Sequence, residues 1–328
     1  MFLHLTRISM LLTFVVVVLG AYTRLSDAGL GCPDWPGCYG KVVVPDTQEK
    51  IDASNEIYAS RPLEPAKAWK EMVHRYAAGT LGTLILISAF LAWRNRSRPG
   101  QQLVVPLLLV GLVVFQALLG MWTVTLLLKP IIVMGHLLGG MTILALLAWT
   151  YMKSSRGAPA TRTDQHPLRV WALLGLIVVA LQISLGGWTG ANYAALICPD
   201  LPLCQGRWWP PMDFIEGFIP WRGLGVNYEF GVLEGPARTA VHMSHRLGAL
   251  ITLTLVGYVA IRAILDTGPK IKLAGVILLL VLLTQFSLGV ANILLTLPIA
   301  VAVTHNGVAA LLLLSMLALV FHTRYTMT

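Results

Sequence analysis

Eight long apolar runs limit what this chain can fold into, because each approaches or exceeds the roughly 20 residues with which an apolar helix crosses a bilayer. Backbone groups inside a bilayer must bond within their own segment, so such runs form helices. Only 12% of the residues are charged, against about 25% in soluble domains. The sequence therefore predicts an all-α polytopic membrane protein. Its eight predicted transmembrane helices lie near 8–23, 74–93, 103–126, 131–152, 168–190, 240–263, 271–295 and 298–321.

The chain also contains an internal repeat. LGAYTRLSDAGLGCPDWPGCYG, which begins at Leu19, aligns without a gap with LGGWTGANYAALICPDLPLCQG, which begins at Leu185. EMVHR, ending at Arg75, aligns with HMSHR, ending at Arg246. A four-span unit returns the chain to the same side of the membrane, so the two copies are parallel repeats. This predicts two pseudo-symmetric four-helix bundles. The predicted halves are residues 1–155 and 156–328.

The repeat decides how the first apolar run is interpreted. That run is short and follows Arg7, a pattern that also fits a cleaved signal peptide. It has a counterpart in the second half, so we interpret it as a transmembrane helix.

Basic residues concentrate in the short connections on one side of the predicted membrane. The N-terminus, the loops near 94–102, 153–169 and 262–272, and the C-terminal tail carry twelve Lys/Arg and two acids. Short basic loops remain in the cytoplasm, so both termini are predicted inside a bacterial cytoplasmic membrane, with the long loops 24–73 and 191–239 outside. These basic loops explain the net charge of +9 by contact with membrane lipid and require no nucleic acid.

All four cysteines lie in the two predicted outer loops, in the related motifs CPDWPGC and CPDLPLC. An oxidising outer compartment favours a disulfide within each motif, Cys32–Cys38 and Cys198–Cys204, and the prolines stiffen each loop. Two cysteine pairs in outer loops are compatible with a membrane thiol–disulfide oxidoreductase, but that function gives no role to histidines that lie within the predicted spans. The Trp- and Pro-rich segment GRWWPPMDFIEGF, which begins at Gly206, is interpreted as an interfacial cover.

Four histidines recur at repeated positions. His74 is predicted to open the second span, His245 to lie in the first turns of the sixth, and His136 and His305 about two turns into the fourth and eighth. A single such imidazole can be neutral and bonded to a carbonyl, yet ionisable groups in spans usually mark a site. Two helices of each half thus offer a ligand pair, and apolar walls suit a haem. Zinc usually takes three or four close ligands.

The residues beside the predicted ligands differ between the halves. Glu71 precedes His74 by three residues, whereas His242 takes the matching place before His245. A carboxylate at a haem edge can accept a proton or stabilise positive charge, so Glu71 is the predicted catalytic residue, unless it is only an acid favoured by the helix dipole. His242 can replace His245 as a ligand or bond a haem propionate.

Two arginines directly follow predicted ligands. The guanidinium groups of Arg75 and Arg246 can pair with haem propionates or extend to lipid headgroups. Three further histidines, His4, His166 and His322, lie in or beside cytoplasmic segments and are interpreted as solvated.

The motifs GLGCPDWPGC, EMVHR, ICPDLPLC and HMSHR, with GH at 135–136 and TH at 304–305, resemble the haem A synthase family over nearly the whole chain. The resemblance implies an eight-helix bundle of two similar halves. It also implies an oxidoreductase that converts the C8 methyl group of haem O into the formyl group of haem A by successive hydroxylation.

Residue roles follow from the same resemblance. It implies that His245 and His305 hold a haem b cofactor, while His74 and His136 bind the substrate or product haem, with Glu71 close to the chemistry. It further implies a redox or loop-stabilising role for the first cysteine pair and a structural role for the second.

The resemblance implies a place beside haem O synthase and cytochrome oxidase assembly factors, with an electron partner that the sequence does not identify. A bis-His cytochrome b for electron transfer is the main alternative, although all four predicted ligands lie towards one face, which disfavours transfer across the bilayer. A haem carrier is disfavoured because no broken span or midplane charge accompanies the histidines.

Overall fold

The structure is a computed structural model that describes residues 1–98, 100–155 and 166–324. These residues form helices and no β-strand. Eight helices are long and apolar enough to cross a membrane, which confirms the predicted all-α fold and its eight spans. They are α1 (Phe2–Leu25), α3 (Pro65–Arg94), α4 (Val104–Thr125), α5 (Pro130–Ser155), α6 (Arg169–Ala191), α8 (Gly235–Ile264), α9 (Pro269–Leu294) and α10 (Ile299–Arg324). Two short helices, α2 (Gln48–Ile57) and α7 (Phe214–Gly217), lie in the long loops.

Three of the spans, α1, α3 and α8, begin at least five residues before their predicted starts. Helix α3 starts at Pro65 and α8 at Gly235, each with proline in its first two positions, where the fixed backbone angle suits a helix start. The prediction that His74 opens its span is therefore wrong, because His74 lies about two and a half turns inside α3. Hydropathy missed these first turns because they contain polar residues, Lys67 and Glu71 among them.

Each half of the chain is a ring of four helices. In the first half, α1 and α4 each pack against both α3 and α5; in the second, α6 and α9 each pack against both α8 and α10. Within the described residues, α3 does not approach α5 closely and α8 does not approach α10, so these two pairs lie on diagonals. The pseudo-symmetric relation of the two rings stays a prediction.

The two halves share one hydrophobic cluster. Helix α1 packs against α10, and α5 packs against both α6 and α10. Val17 and Leu144 of the first half join Val256 and Met316 of the second in this cluster. The predicted boundary between the halves falls at the start of 156–165, outside the described residues, and the division into two domains stays a prediction.

The long loop 191–239 also reaches the first half. Lys129, which is 1% exposed, donates a hydrogen bond from Nζ to the Gly223 carbonyl at 3.0 Å and lies 3.3 Å from the ring centroid of Trp221. The backbone N–H of Tyr228 donates to the Leu127 carbonyl at 3.0 Å. This part of the loop therefore packs on the turn between α4 and α5, whereas Trp208 is 73% exposed.

Two of the three histidines interpreted as solvated are not. His166 Nε2 lies 3.0 Å from Asp266 Oδ2, with both side chains largely covered, so this contact joins two inter-helix connections. His322 is half-buried, with its ring 5.7 Å from that of Phe321. Only His4 is exposed as predicted. Sequence position near a basic loop did not reveal these tertiary contacts.

Candidate functional site

The first pair of predicted ligands meets across the diagonal of its ring. His74 on α3 and His136 on α5 have ring centroids 6.3 Å apart and ring planes at 80°. An imidazole nitrogen lies roughly 2 Å from a bound metal, and roughly 1 Å separates that nitrogen from its ring centre, so two rings on one metal are about 6 Å apart. The spacing of these two rings therefore fits a single metal ion between them.

The polar atoms of this region are incompletely bonded. The buried Nδ1 atoms of His74, His136 and His305 have no hydrogen-bond partner within the described residues, nor does Nε2 of Gln116. Buried polar atoms are normally paired, and leaving one unpaired costs about 1–3 kcal/mol. Three of these four atoms belong to candidate ligands themselves, and the fourth lies on α4, which packs against the helix that bears His136. This fits a site that receives a further group, and a haem held by two imidazoles matches the donor set.

The second pair lies on the equivalent diagonal and contacts two glutamines. His245 is on α8 and His305 on α10. Gln182 Nε2 lies 3.0 Å from His245 Nδ1, and Gln285 Nε2 lies 3.3 Å from His305 Nε2. No role for these glutamines was predicted from the sequence. The available signal was an amide side chain inside an apolar span, where polar groups are costly.

Glu71 is buried and tied to the first disulfide loop. It is 5% exposed, its Oε2 accepts the Cys32 backbone N–H at 2.9 Å, and its Oε1 pairs with Arg75. The carboxylate is thereby fixed less than one turn from His74 on the same helix. Its catalytic role stays a prediction. Its contacts with Arg75 and the Cys32 N–H fix the position of its carboxylate.

The two arginines bind the disulfide loops. Arg75 donates to the backbone carbonyls of Asp34, Pro36 and Gly37. Arg246 donates to three carbonyls of the other loop, those of Cys198, Asp200 and Leu203, at 2.7–2.9 Å. Charge-assisted hydrogen bonds of this kind are stronger than neutral ones. Propionate binding by these arginines stays a prediction, and the observed contacts give them a structural task in each loop.

His242 has both ring nitrogens engaged. Its Nε2 accepts a hydrogen bond from Arg246 Nε at 2.8 Å, and its Nδ1 lies 2.8 Å from the Ala194 carbonyl. Since Nε2 accepts, the tautomer assigned to this ring carries its proton on Nδ1 and donates to that carbonyl. Neither nitrogen is available to a metal in this arrangement, so His245 is the better ligand candidate of the two.

Both cysteine pairs form disulfides, Cys32–Cys38 and Cys198–Cys204. All four cysteines are 0% exposed. An aspartate closes each loop: Asp34 accepts the N–H groups of the residues at 39 and 40, and Asp200 those at 205 and 206. The backbone N–H groups of Gly206 and Gln205 lower the pKa of Asp200. Each loop is thus a rigid unit seated on the helix that bears a candidate ligand.

A family model described as COX15-CtaA, a cytochrome oxidase assembly protein, matches residues 4–317. The chain belongs to the COX15-CtaA family. This confirms the resemblance indicated by the motifs. The chain is 45% identical over 316 residues to "Heme A synthase" of Shewanella oneidensis, covering 96% of this chain and 94% of that protein. It is 29% identical over 323 residues to "Heme A synthase" of Caulobacter vibrioides, with 92% and 90% covered. These COX15-CtaA relatives thus match the chain over both halves.

Proposed function

We propose that the chain is a haem A synthase, an oxidoreductase that converts the C8 methyl group of haem O into the formyl group of haem A. The observation that carries the proposal is the pair of imidazoles 6.3 Å apart on the first diagonal, with a second pair on the equivalent diagonal. The 45% identity to a named haem A synthase over 96% of the chain supports the choice among haem-binding functions.

In this proposal the two halves divide the work. His245 and His305 hold haem b, while His74 and His136 bind haem O before the reaction and haem A after it. When bound, haem b supplies one-electron redox chemistry. The methyl group is hydroxylated twice, and the resulting gem-diol loses water to become the aldehyde. Conversion of the methyl group to the aldehyde is a four-electron oxidation. With water as the oxygen source, four electrons and four protons pass to an electron acceptor, whereas with O₂ as the oxygen source each hydroxylation consumes one O₂ and two electrons from a donor.

The side chains of the first half prepare the site for that reaction. His74 and His136 fix the substrate between two helices, which brings its reacting edge to a constant position. Glu71 lies on the same face of α3 as His74. Its carboxylate is held by Arg75 and the Cys32 N–H, so it presents a fixed negative charge and a proton acceptor.

The distribution of charge supports a membrane orientation. We propose that both termini face the cytoplasm of a bacterium and that loops 24–73 and 191–239 lie outside, because Lys and Arg concentrate on the side of the termini. The two disulfides agree with an oxidising outer compartment. Haem O synthase and cytochrome oxidase assembly factors are the proposed partners in the membrane.

The buried disulfides disfavour the thiol–disulfide oxidoreductase. Exchange requires attack of a thiolate on an accessible sulfur, and each of the four cysteines is 0% exposed. The bis-His cytochrome b remains the alternative to be tested, since electron transfer would use the same kind of ligand pair.

The test is extraction and chromatography of haems from the purified full chain, co-expressed with a source of haem O. We expect haem b together with haem O or haem A. A His74→Ala variant should lose haem O and haem A but keep haem b, and a His245→Ala variant should lose haem b. Haem b alone in the wild type, unchanged by added haem O, would instead identify an electron-transfer cytochrome.

A further inference from the structure

Each of the four transmembrane hairpins carries a Leu-Gly pair near the end of its first helix. The second helix of the same hairpin bears a candidate haem ligand. The hairpins are α1 with α3, α4 with α5, α6 with α8, and α9 with α10. The pairs are Leu19-Gly20, Leu119-Gly120, Leu185-Gly186 and Leu288-Gly289.

Every one of these glycines faces the histidine of its own hairpin. A Cβ atom at Gly20 would lie 3.0 Å from Cε1 of His74, and one at Gly186 would lie 3.1 Å from Cε1 of His245. The corresponding distances are 3.3 Å from Gly289 to His305 and 3.4 Å from Gly120 to His136. Well-packed interiors leave little room for added atoms. The absence of a side chain at these positions is what allows each imidazole to lie against the neighbouring helix.

The same surroundings recur around the glycines. Four residues earlier stands a glutamine in three hairpins and Val16 in the first, so the shared pattern is Gln-x-x-Leu-Gly-x-x-Thr/Asn. The glutamines are Gln116, Gln182 and Gln285, and the last pattern position is Thr23, Thr123, Thr189 or Asn292. Residues four apart lie on one helix face, so the glutamine and the glycine both face the partner helix. Gln182 and Gln285 contact the ligand histidines there.

The ends of the four first helices are also alike. Seven residues after each glycine the backbone is left-handed, with φ between 50° and 56° at Asp27, Leu127, Tyr193 and Thr296. The next residue donates its N–H to the carbonyl of the Thr or Asn of the pattern, at 2.8–3.0 Å in all four cases. The two-helix hairpin is therefore a structural unit that occurs four times, within the four-span unit that occurs twice.

We propose that Gly20, Gly120, Gly186 and Gly289 are positioning residues for the haem ligands, each setting the orientation of the imidazole that faces it. This rests on the proposed function for the identity of the bound group. An alanine methyl at Gly20, Gly186 or Gly289 would require the imidazole ring to move by a few tenths of an ångström and so displace its metal-binding nitrogen. At Gly120 the methyl would meet the ring at ordinary contact distance. The graded distances predict the strongest effect at Gly20 and Gly186 and the weakest at Gly120.

Two other glycines provide matched controls. Gly111 lies in α4 with Gly120, and Gly190 lies in α6 with Gly186, and a Cβ atom at either control position would meet no atom within 4 Å. All these glycines are helical, and alanine favours a helix over glycine. If alanine acted only through its higher helix propensity, every Gly→Ala variant, including the two controls, would be more stable than the wild type.

The experiment measures haem b per protein, the haem O and haem A content, and the EPR spectrum of the oxidised haem in the full chain co-expressed with a haem O source. Gly186→Ala and Gly289→Ala should lower haem b several-fold or shift its EPR spectrum. Gly20→Ala should keep haem b and lower the haem O and haem A content several-fold, and Gly120→Ala should keep haem b and lower that content less. Gly111→Ala and Gly190→Ala should match the wild type.

Thermal unfolding separates loss of the fold from loss of ligand orientation. The glycine variants should form folded, membrane-inserted protein in yields like those of the controls. If His245→Ala loses haem b while Gly186→Ala retains wild-type haem content and an unchanged EPR spectrum, the positioning role is wrong and the proposed function stands. If His245→Ala itself retains haem b, the ligand assignment in the proposed function is what fails.

Discussion

Glu71 and His242 occupy equivalent positions in the repeat, and each is bonded to the arginine four residues later. Glu71 pairs with Arg75 and accepts the Cys32 N–H, whereas His242 accepts from Arg246 and lies against the carbonyl of Ala194, which precedes the second disulfide loop. Both side chains thus hold an arginine and a backbone group of the long loop, but they differ in charge. Only the first half gains a negative charge beside its candidate haem ligand, and this is the residue-level basis for placing the oxidation there.

His242 and His245 can be separated by a pair of substitutions. His245→Ala should abolish haem b binding, because it removes a proposed ligand. His242→Asn should retain haem b, since both nitrogens of His242 are engaged by Arg246 and Ala194. The measurement is haem b per protein by absorption spectroscopy. Retention in the first variant with loss in the second would make His242 the ligand.

At the scale of elements, each disulfide loop is seated on the helix that bears a ligand. In both halves an aspartate accepts backbone N–H groups of the loop, a disulfide closes the loop, and an arginine donates to its backbone carbonyls. The two arginines directly follow the candidate ligands His74 and His245 in sequence. Each loop is therefore attached to its helix beside a candidate ligand.

Removing either disulfide should cost stability by a similar amount. A cross-link that closes a loop of six residues stabilises the fold by roughly 2 kcal/mol in the chain-entropy model. We expect Cys32→Ser/Cys38→Ser and Cys198→Ser/Cys204→Ser to lower the thermal unfolding temperature comparably and to keep haem O oxidation.

Oxidation assays on the same two double variants decide the remaining role of the first pair. Selective loss of oxidation in Cys32→Ser/Cys38→Ser, with an unfolding temperature equal to that of the other double variant, would assign it a redox function. The second double variant is the matched control, since its loop has the same length and the same aspartate closure.

The elements of this fold were largely predictable, and much of the candidate site was too. Apolar runs identify spans because a bilayer core tolerates few polar residues, and the repeat singled out His74, His136, His245 and His305. The extended starts of α3 and α8 escaped prediction because polar first turns carry no hydropathy signal. The contacts of Gln182 and of the four glycines depend on which helices become neighbours, which periodicity alone does not specify.

At the scale of the whole molecule, the halves are joined in two ways. Helix α1 packs against α10 and α5 packs against both α6 and α10, and loop 191–239 packs on the turn between α4 and α5. The second contact centres on Lys129, which is buried beside Trp221 and bonded to Gly223. The first half therefore depends on the second for the cover of its α4–α5 hairpin, which carries His136.

Lys129→Met should weaken the packing of loop 191–239 on the α4–α5 turn and leave the haem b content unchanged. Methionine preserves most of the apolar stem but removes the hydrogen bond and the cation–π contact, which together contribute about 1–2 kcal/mol. We expect cleavage by trypsin at Arg222 to accelerate roughly 5- to 30-fold, with haem b content unchanged.

Lys50→Met is the control for the trypsin measurement, because the Lys50 side chain is 60% exposed and its pair with Asp46 lies on the surface, where ion pairs contribute little. Equal cleavage rates at Arg222 in both variants would mean that Lys129 does not hold the loop.

The loop that covers the α4–α5 turn is synthesised after the turn itself. Lys129 precedes Gly223 by 94 residues, so translation places the first four spans in the membrane well before the loop that covers their α4–α5 turn has been synthesised. During that interval the α4–α5 turn, which leads into the helix that carries His136, lacks the cover that the contact between Lys129 and Gly223 later provides.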